Sequence, residues 1–295
     1  PLERYAEPPL FRGFDRGIRG VGTRNHVVIM GTSSRTAAFA RIVAQRLENL
    51  PAAGGFDGVV AVAHTEGGGA EIPNNRELLL RTLAGFAVPP NVGALLCVDY
   101  GSEAVSNTVL EGYLRREDYP IDELPHRFLS IEGGFDRHLA EAEGQARQWA
   151  QQLQAESRVE LPASHLKLAL QCGGSDAFSG VSGNPLAAWV ARELIRCGGA
   201  ANLAETDELI GAEPYVLDRV RDAETARRFL QMVERFKERV SWHGASAEGN
   251  PSGGNKYRGL YNIVLKSIGA AMKRHTEVPL DGCLEYGQQI PESGY

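Results

Sequence analysis

The chain alternates apolar runs with amphipathic stretches, and that alternation constrains its fold more than any other feature. Residues 26–31 (HVVIMG), 56–64 (FDGVVAVAH), 91–101 (NVGALLCVDYG), 126–134 (HRFLSIEGG) and 165–172 (HLKLALQC) read as strands, with 200–206 (AANLAET) a weaker sixth. Helical periodicity fills the intervals at 36–50, 75–86, 104–115, 136–156 and 186–196, and returns at 222–240 and 260–274. In the stretch from Asp222, the side chains of Ala226, Phe229, Leu230, Val233 and Phe236 share one face. Strand–helix alternation predicts an α/β fold: mostly parallel, doubly wound sheets with flanking helices, in two Rossmann-like halves. The polar stretch 154–164 (QAESRVELPAS) marks the boundary, giving a first half at 1–160 and a second at 161–295 that carries the C-terminal helices.

Composition excludes several classes of function. With 295 residues, 43% hydrophobic and 23% charged, the chain has an ordinary globular make-up and enough length for one large core or two modest ones. A net charge of −6 provides no electrostatic footprint for nucleic acid. No apolar stretch approaches the ~20 residues that a membrane helix needs. The opening PLERYAEPPL lacks the apolar core of a signal peptide, so a reducing cytoplasm is the expected compartment. Cysteines at 97, 172, 197 and 283 show no CxxC spacing, which argues against a zinc knuckle or a disulfide framework. Residues 17–22 (GIRGVG) have the wrong spacing for G-x-G-x-x-G and precede their strand, so no nucleotide cofactor is expected.

Three polar loops carry the candidate chemistry. The first, after the fifth strand, runs from Cys172 through Gly173, Gly174, Ser175, Asp176, Ser179, Gly180 and Gly183 to Asn184. Small residues there let backbone N–H groups approach a polar ligand beyond the strand's carboxyl end. The plainer alternative is a glycine-rich turn with Asp176 capping a helix. The second loop, 63–75 (AHTEGGGAEIPNN), offers His64 as acid, base or ligand and Glu66 as a second protic group. The third, 243–259 (HGASAEGNPSGGNKYRG), holds Asn250, Ser252, Asn255, Lys256 and Arg258, with Lys266 in the helix behind it. A mobile surface loop is the alternative there. Arg24 and Asn25 precede the first strand. All three loops are expected to converge on one cleft at the sheet's carboxyl edge. Residues 173–177 (GGSDA) come close to G-x-S-x-G, which keeps a serine hydrolase using Ser175 as an alternative.

In order along the chain stand GTRN (22–25), HTEG (64–67), CGGSDAFSG (172–180) with Asn184-Pro185, AET (204–206), and NPSGGN (250–255) with Lys266-Ser267-Ile268-Gly269. Across residues 10–290 this series resembles the altronate/galactarate dehydratase family, which also contains a sulfolactate sulfo-lyase. The resemblance implies a hydro-lyase of sugar-acid (carbohydrate) catabolism that acts on aldarates or aldonates and uses iron as its divalent metal. It implies a small SAF-type domain, sometimes a separate subunit, so that this chain is expected to be a fragment or a core subunit. A homo-oligomer is a further expectation.

The departures concern the metal. Where the family carries cysteine, this chain has Ser33 within Thr32-Ser33-Ser34, Gly68 after the histidine motif, and Ser102 in Gly101-Ser102-Glu103. Of that set only Cys172 remains, with His64 as a second candidate ligand. Thiolates are the usual ligands of iron–sulfur clusters, so no such cluster is expected. The family's acidic residue before K-S-L-G is replaced here by Val264-Leu265. Dehydrating a hydroxy acid needs a base for the proton α to the carboxylate, a cation or donors for the developing enediolate, and an acid for the departing hydroxide. The candidates for acid–base and nucleophilic roles are His64, Lys266, Ser175 and Asp176. Those for substrate binding are Arg24, Asn25, Glu66, Gly173, Gly174, Ser179, Asn184, Asn250, Asn255 and Lys256. A catalytically silent sugar-acid-binding homologue, or a scaffold for a SAF-type subunit, is the alternative to an active lyase.

Overall fold

A strand whose successive side chains are all buried belongs inside a sheet covered on both faces. Residues 27–30 (Val-Val-Ile-Met) and every residue of 92–99 meet that description. The computed structural model describes residues 2–204, 206–291 and 293–295. It divides into two units, a first of residues 11–161 and a second of residues 1–10 and 162–295.

Through the first unit the elements are β1 (Leu10–Asp15), β2 (Val21–Gly22), β3 (His26–Gly31), α1 (Ala37–Arg46), β4 (Gly58–Val62), α2 (Arg76–Ala87), β5 (Val92–Asp99), α3 (Asn107–Arg116), β6 (His126–Ser130), α4 (Phe135–Gln154) and β7 (Val159–Pro162). The main sheet is parallel throughout, in the order β4-β3-β5-β6, and Val28 stands opposite both Val60 and Leu95. The period-two pleat sorts its side chains onto two faces. Val27, Ile29, Ala94, Leu96 and Val98 pack against Phe39 and Val43 of α1 and Leu139 and Trp149 of α4. Val28, Met30, Leu95 and Cys97 pack against Leu80 and Leu83 of α2 and Leu110 and Leu114 of α3. Each large side chain buried this way contributes roughly 1.5–3 kcal/mol. A smaller sheet, β2-β1-β7, lies outside this sandwich and was not visible in the alternation.

The strand order reverses between β3 and β5, which makes a topological switch point, the place at which open α/β sheets bind ligands. Asp99, only 1% exposed, fixes that edge. It accepts from the Asn107 backbone N–H at 2.7 Å, from Asn107 Nδ2 at 3.0 Å and from Ser130 Oγ at 2.6 Å, tying β5 to the start of α3 and to β6.

The second unit contains β8 (Lys167–Leu170), α5 (Gly183–Arg196), β9 (Ala200–Leu203), α6 (Glu213–Leu217), α7 (Ala223–Ser241), α8 (Gly253–Tyr257) and α9 (Ile263–Ala271). β8 and β9 pair in parallel, and their apolar faces join Ile195, Phe229, Val233 and Ile263 in one core. α5 starts at Gly183, ahead of the expected 186, because Pro185 fits the first turn, where backbone N–H groups have no intrahelical acceptor. α9 starts only at Ile263, where Asn262 Oδ1 accepts the Leu265 N–H at 2.9 Å and caps it. Asp222 caps α7 in the same way, and its bonds to Thr225 hold its carboxyl down at about 2. Among the described residues no helix is long and apolar enough to cross a membrane.

Candidate functional site

In the first unit, three loops meet at the switch point. β3 runs into Thr32-Ser33-Ser34, β4 into His64–Gly68 and β5 into residues 100–103. The Ser34 N–H donates to the Glu66 carbonyl at 2.8 Å, and the Ala104 N–H to that of Gly69 at 2.9 Å. Glu103, 5% exposed, accepts from Ser33 Oγ at 3.2 Å and from the N–H groups of Tyr100 and Ser102 at 3.0 and 3.1 Å. Arg35 lies over the Tyr100 ring and donates to Ser102 Oγ at 2.7 Å. A Cβ built on Gly68 would lie 2.2 Å from Ser34 Oγ. Three of the positions at which the family resemblance places cysteines, 33, 68 and 102, distant in the chain, therefore gather at one sheet edge.

His64 is held firmly in this edge. The Glu66 N–H donates to Nδ1 at 3.2 Å, which leaves Nε2–H to donate to the Gly31 carbonyl at 3.1 Å. Burial lowers its affinity for a proton below the ordinary histidine range. Here it is a neutral imidazole joining the ends of β3 and β4. Glu66 accepts from Asn75 Nδ2 at 3.3 Å.

Arg24 and Asn25 are not brought to this edge, which corrects their expected grouping with the loops. They sit at the amino end of β3, and six residues of strand separate them from Gly31 by roughly 17–20 Å. Asn25 is wholly buried, with its side chain bound by Arg16 and, at 2.9 Å, donating to Glu156. Arg24 is exposed, and its N–H donates to Asn91 Oδ1 at 3.0 Å.

In the second unit, the loop after β8 and the loop before α9 converge. Asn255 Nδ2 donates to the Ser175 carbonyl at 2.8 Å, and the Ala177 N–H to the Arg258 carbonyl at 3.0 Å. Asp176 and Ser179 close their own turn, with Ser179 N–H on Asp176 Oδ1 at 2.6 Å. Asn184 Nδ2 donates to the Gly269 carbonyl at 2.8 Å and reaches Cys172 Sγ at 3.7 Å. Ser175 Oγ donates to the Gly173 carbonyl at 3.4 Å, and no histidine contacts it among the described residues. A serine nucleophile needs a base within about 2.6–3.2 Å. Gly173, Gly174 and Lys256 are exposed. Glu205 of the AET motif lies outside the described residues.

Behind these loops lies a charged cluster. Lys266 Nζ donates to Asn250 Oδ1 at 2.7 Å and stands 3.8 Å from Glu208. Lys273 Nζ donates to Glu208 Oε2 at 3.2 Å and to Cys172 Sγ at 3.1 Å. Lys266, Lys273 and Glu208 are only 9%, 3% and 3% exposed. Among the described residues, two buried ammonium groups thus share one carboxylate. Lys273 and Glu208 were missed in the sequence. The available signal was a lysine two helical turns beyond Lys266, at i+7 on the same face of a largely apolar segment.

An α/β protein with a doubly wound parallel sheet, polar loops at its strand ends and a buried cationic cluster is the class these features define. Sequence models of two domains match it: D-galactarate dehydratase/altronate hydrolase, second domain, over residues 13–154, and D-galactarate/altronate dehydratase, C-terminal, over residues 163–295. The chain belongs to the galactarate/altronate dehydratase family. It is 32% identical to altronate dehydratase of Escherichia coli K12, across 93% of this chain and 54% of that protein. It is 28% identical to altronate dehydratase of Bacillus subtilis 168, across 96% of this chain and 56% of that protein. With the (2R)-sulfolactate sulfo-lyase subunit beta of Chromohalobacter salexigens the identity is 28%, over 93% of this chain and 67% of that one. The chain spans about half the length of the two altronate dehydratases.

The donor set does not fit a thiolate-held iron. Ser33, Gly68 and Ser102 present hydroxyls and a hydrogen at the first unit's edge. In the second unit Cys172 Sγ faces the Lys273 ammonium at 3.1 Å, a cation that would repel a metal ion. Burial pushes the thiols of Cys97, Cys197 and Cys283 up, away from the thiolate that binds metals. Among the described residues no three His, Cys, Asp or Glu side chains gather as metal ligands.

Proposed function

We propose that this chain is the core of a sugar-acid hydro-lyase, acting on an aldarate or aldonate, and that the second unit binds the substrate's carboxylate. The observation that carries this reading is the pair of buried ammonium groups, Lys266 and Lys273, that share Glu208 among the described residues, set behind loops rich in hydroxyl and amide groups. Two buried cations close to one another favour an anionic ligand between or beside them. Lys266 holds the carboxylate and stabilises the enediolate that forms when the α proton leaves. Cys172 and Glu208, both in contact with Lys273, are the groups placed to move protons. Asn184, Asn250 and the Gly173–Ser179 loop take the substrate hydroxyls.

A carboxylate held by two charge-assisted hydrogen bonds, at ~1.5–3 kcal/mol each, gives affinity near the millimolar range. The test is calorimetry against a panel of aldarates and aldonates, with a colorimetric assay for the 2-keto-3-deoxy product. Binding should be lost in Lys266→Met and unchanged in Arg24→Ala, whose side chain lies in the other unit. If no acid binds, or Lys266→Met binds like the parent, the reading is wrong. The hydroxyls and glycine at 33, 68 and 102 favour a second reading, a homologue that binds the acid without turning it over or that serves a SAF-type partner. Binding without product would establish that one.

A further inference from the structure

Several arginines on the surface of the second unit are committed to carboxylates: Arg192 to Glu193 and Glu277, Arg227 to Glu224 and Arg235 to Glu285. Two cations on the loop before α9 are not. Lys256 and Arg258 are exposed, and among the described residues their side chains make no hydrogen bond or ion pair. Two carboxylates stand on the neighbouring stretches of loop, Asp176 and Glu248, and neither pairs with them. Asp176 Oδ1 is taken by the Ser179 N–H at 2.6 Å. Exposure alone would leave such cations to water, but their place on the loop offers them a partner.

That loop is short and pinned. Ser252 Oγ caps α8 by accepting the Asn255 N–H at 3.3 Å. Asn255 Nδ2 donates to the Ser175 carbonyl at 2.8 Å and the Arg258 carbonyl accepts the Ala177 N–H at 3.0 Å, which fastens α8 to the loop after β8. The Arg258 side chain folds back along α8: a Cβ built on Gly254 would lie 3.8 Å from Arg258 Nη1 and 3.8 Å from Ser252 Oγ. Ser252 is two residues from Asn250, whose Oδ1 accepts from Lys266 Nζ at 2.7 Å. Two residues of chain reach at most about 7 Å, which puts the buried ammonium and the exposed guanidinium on the order of 10 Å apart.

We propose that Arg258, supported by Lys256, binds a second carboxylate at the far end of the substrate, so that this chain selects an aldarate over an aldonate. The inference rests on the reading above, in which Lys266 holds the first carboxylate. Five C–C bonds of ~1.5 Å set the terminal carboxyl carbons of an extended six-carbon acid about 6 Å apart. A charge-assisted contact of about 2.8 Å at either end brings the span between the two cations to that same order. A guanidinium offers two parallel N–H donors that match both oxygens of a carboxylate. The primary alcohol that ends an aldonate has one oxygen and no charge. Because Arg258 is exposed, water and salt screen the contact, and the selection is modest, about 5- to 10-fold in affinity.

Calorimetry of the 295-residue chain against a hexarate, the matching hexonate and that hexonate's 6-phosphate, at low and at high salt, tests this. The parent binds the hexarate about 5- to 10-fold more tightly than the hexonate, and the ratio shrinks as ionic strength rises. Arg258→Met brings the ratio close to one, and Arg258→Lys keeps part of it. The side chain is exposed and the Arg258 carbonyl stays in place, so far-UV circular dichroism of both variants matches the parent. A ratio of one in the parent, or one that Arg258→Met leaves unchanged, overturns the second-carboxylate assignment, while hexonate binding that is lost in Lys266→Met still upholds the first. Tighter binding of the 6-phosphate than of the hexarate assigns the guanidinium to a phosphate and overturns the choice of an aldarate. If no acid binds, both readings fall together.

Discussion

Replacing Glu208 by Gln is the most direct test of the charge arrangement in the second unit. The carboxylate is 3% exposed and faces Lys273 Nζ at 3.2 Å and Lys266 Nζ at 3.8 Å. Removing one partner of a buried ion pair costs about 3–5 kcal/mol, because the remaining charge is left in a poorly solvating interior. Here two ammonium groups lose their only carboxylate among the described residues. Lys266 keeps Asn250 Oδ1 and Lys273 keeps Cys172 Sγ, which places the expected loss at the lower end, about 3 kcal/mol. Lys273→Met is milder, about 1–2 kcal/mol, since Glu208 retains Lys266. The double variant leaves one uncompensated cation instead of two, so its loss is smaller than the sum by 1 kcal/mol or so. Two units need not unfold together, so one global midpoint is a poor readout. Denaturant-dependent hydrogen exchange, followed in peptides from residues 163–295, isolates the right unit. A Glu208→Gln protein within about 1 kcal/mol of the parent, or strictly additive losses, would refute the shared-carboxylate cluster.

Three further outcomes are expected. Burial keeps His64 less ready to bind a proton than in the unfolded chain, so acidification below about 6.5 protonates the unfolded state first. Stability of the first unit should therefore rise with pH through that window and fall on its acid side, a fall that His64→Gln reduces. In Ser34→Cys/Gly68→Cys the Cβ atoms would stand 3.5 Å apart, within disulfide range, and Gly68 needs no left-handed backbone. Air oxidation should close that bridge, adding up to ~4 kcal/mol that a reductant removes, and free thiols after oxidation would show that the loops are not juxtaposed. Anaerobically purified protein should lack stoichiometric iron and sulfide-to-iron charge-transfer absorption, and finding both would show that other ligands have replaced the missing thiolates.

The first unit was legible because burial on both faces leaves a strong mark. Val27–Met30 and Val92–Asp99 are unbroken apolar runs, and each of their neighbouring helices shows a clear amphipathic face. The small sheet β2-β1-β7 left no such mark. Its strand LFRGFD mixes Arg12 and Gly13 with aromatics and buries only two positions, so its pattern does not alternate cleanly. α6 and α8 are five residues each, too short for a 3.6-residue period to register. In the second unit, among the described residues, the parallel pairing continues past β9 only as a single bridge from Ala200 to Gly294, and the core is completed by helices and by C-terminal residues such as Leu280 and Tyr295. No periodicity announces such packing.

For the candidate site, residue type in a loop proved readable, whereas the partner of each residue did not. Asp176, Ser179, Asn184, Asn250 and Asn255 stand in the loops where their polar character suggested, but most of their hydrogen bonds go to backbone that holds those loops in shape. Asn255, for example, caps its own short helix through Ser252 and spends Nδ2 on the Ser175 carbonyl. The buried charged groups lie behind them, Lys266 on α9 and Lys273 just past its end, in a segment whose sequence looks like core. Lys266 and Lys273 are buried, and their ammonium groups reach one carboxylate on a segment some sixty residues earlier in the chain. That convergence is a property of the fold, and a sequence shows it only as two lysines seven apart. What distinguishes a loop that shapes a site from a cluster that charges it is therefore the balance of buried charge, and among the described residues that balance here is two ammonium groups to one carboxylate.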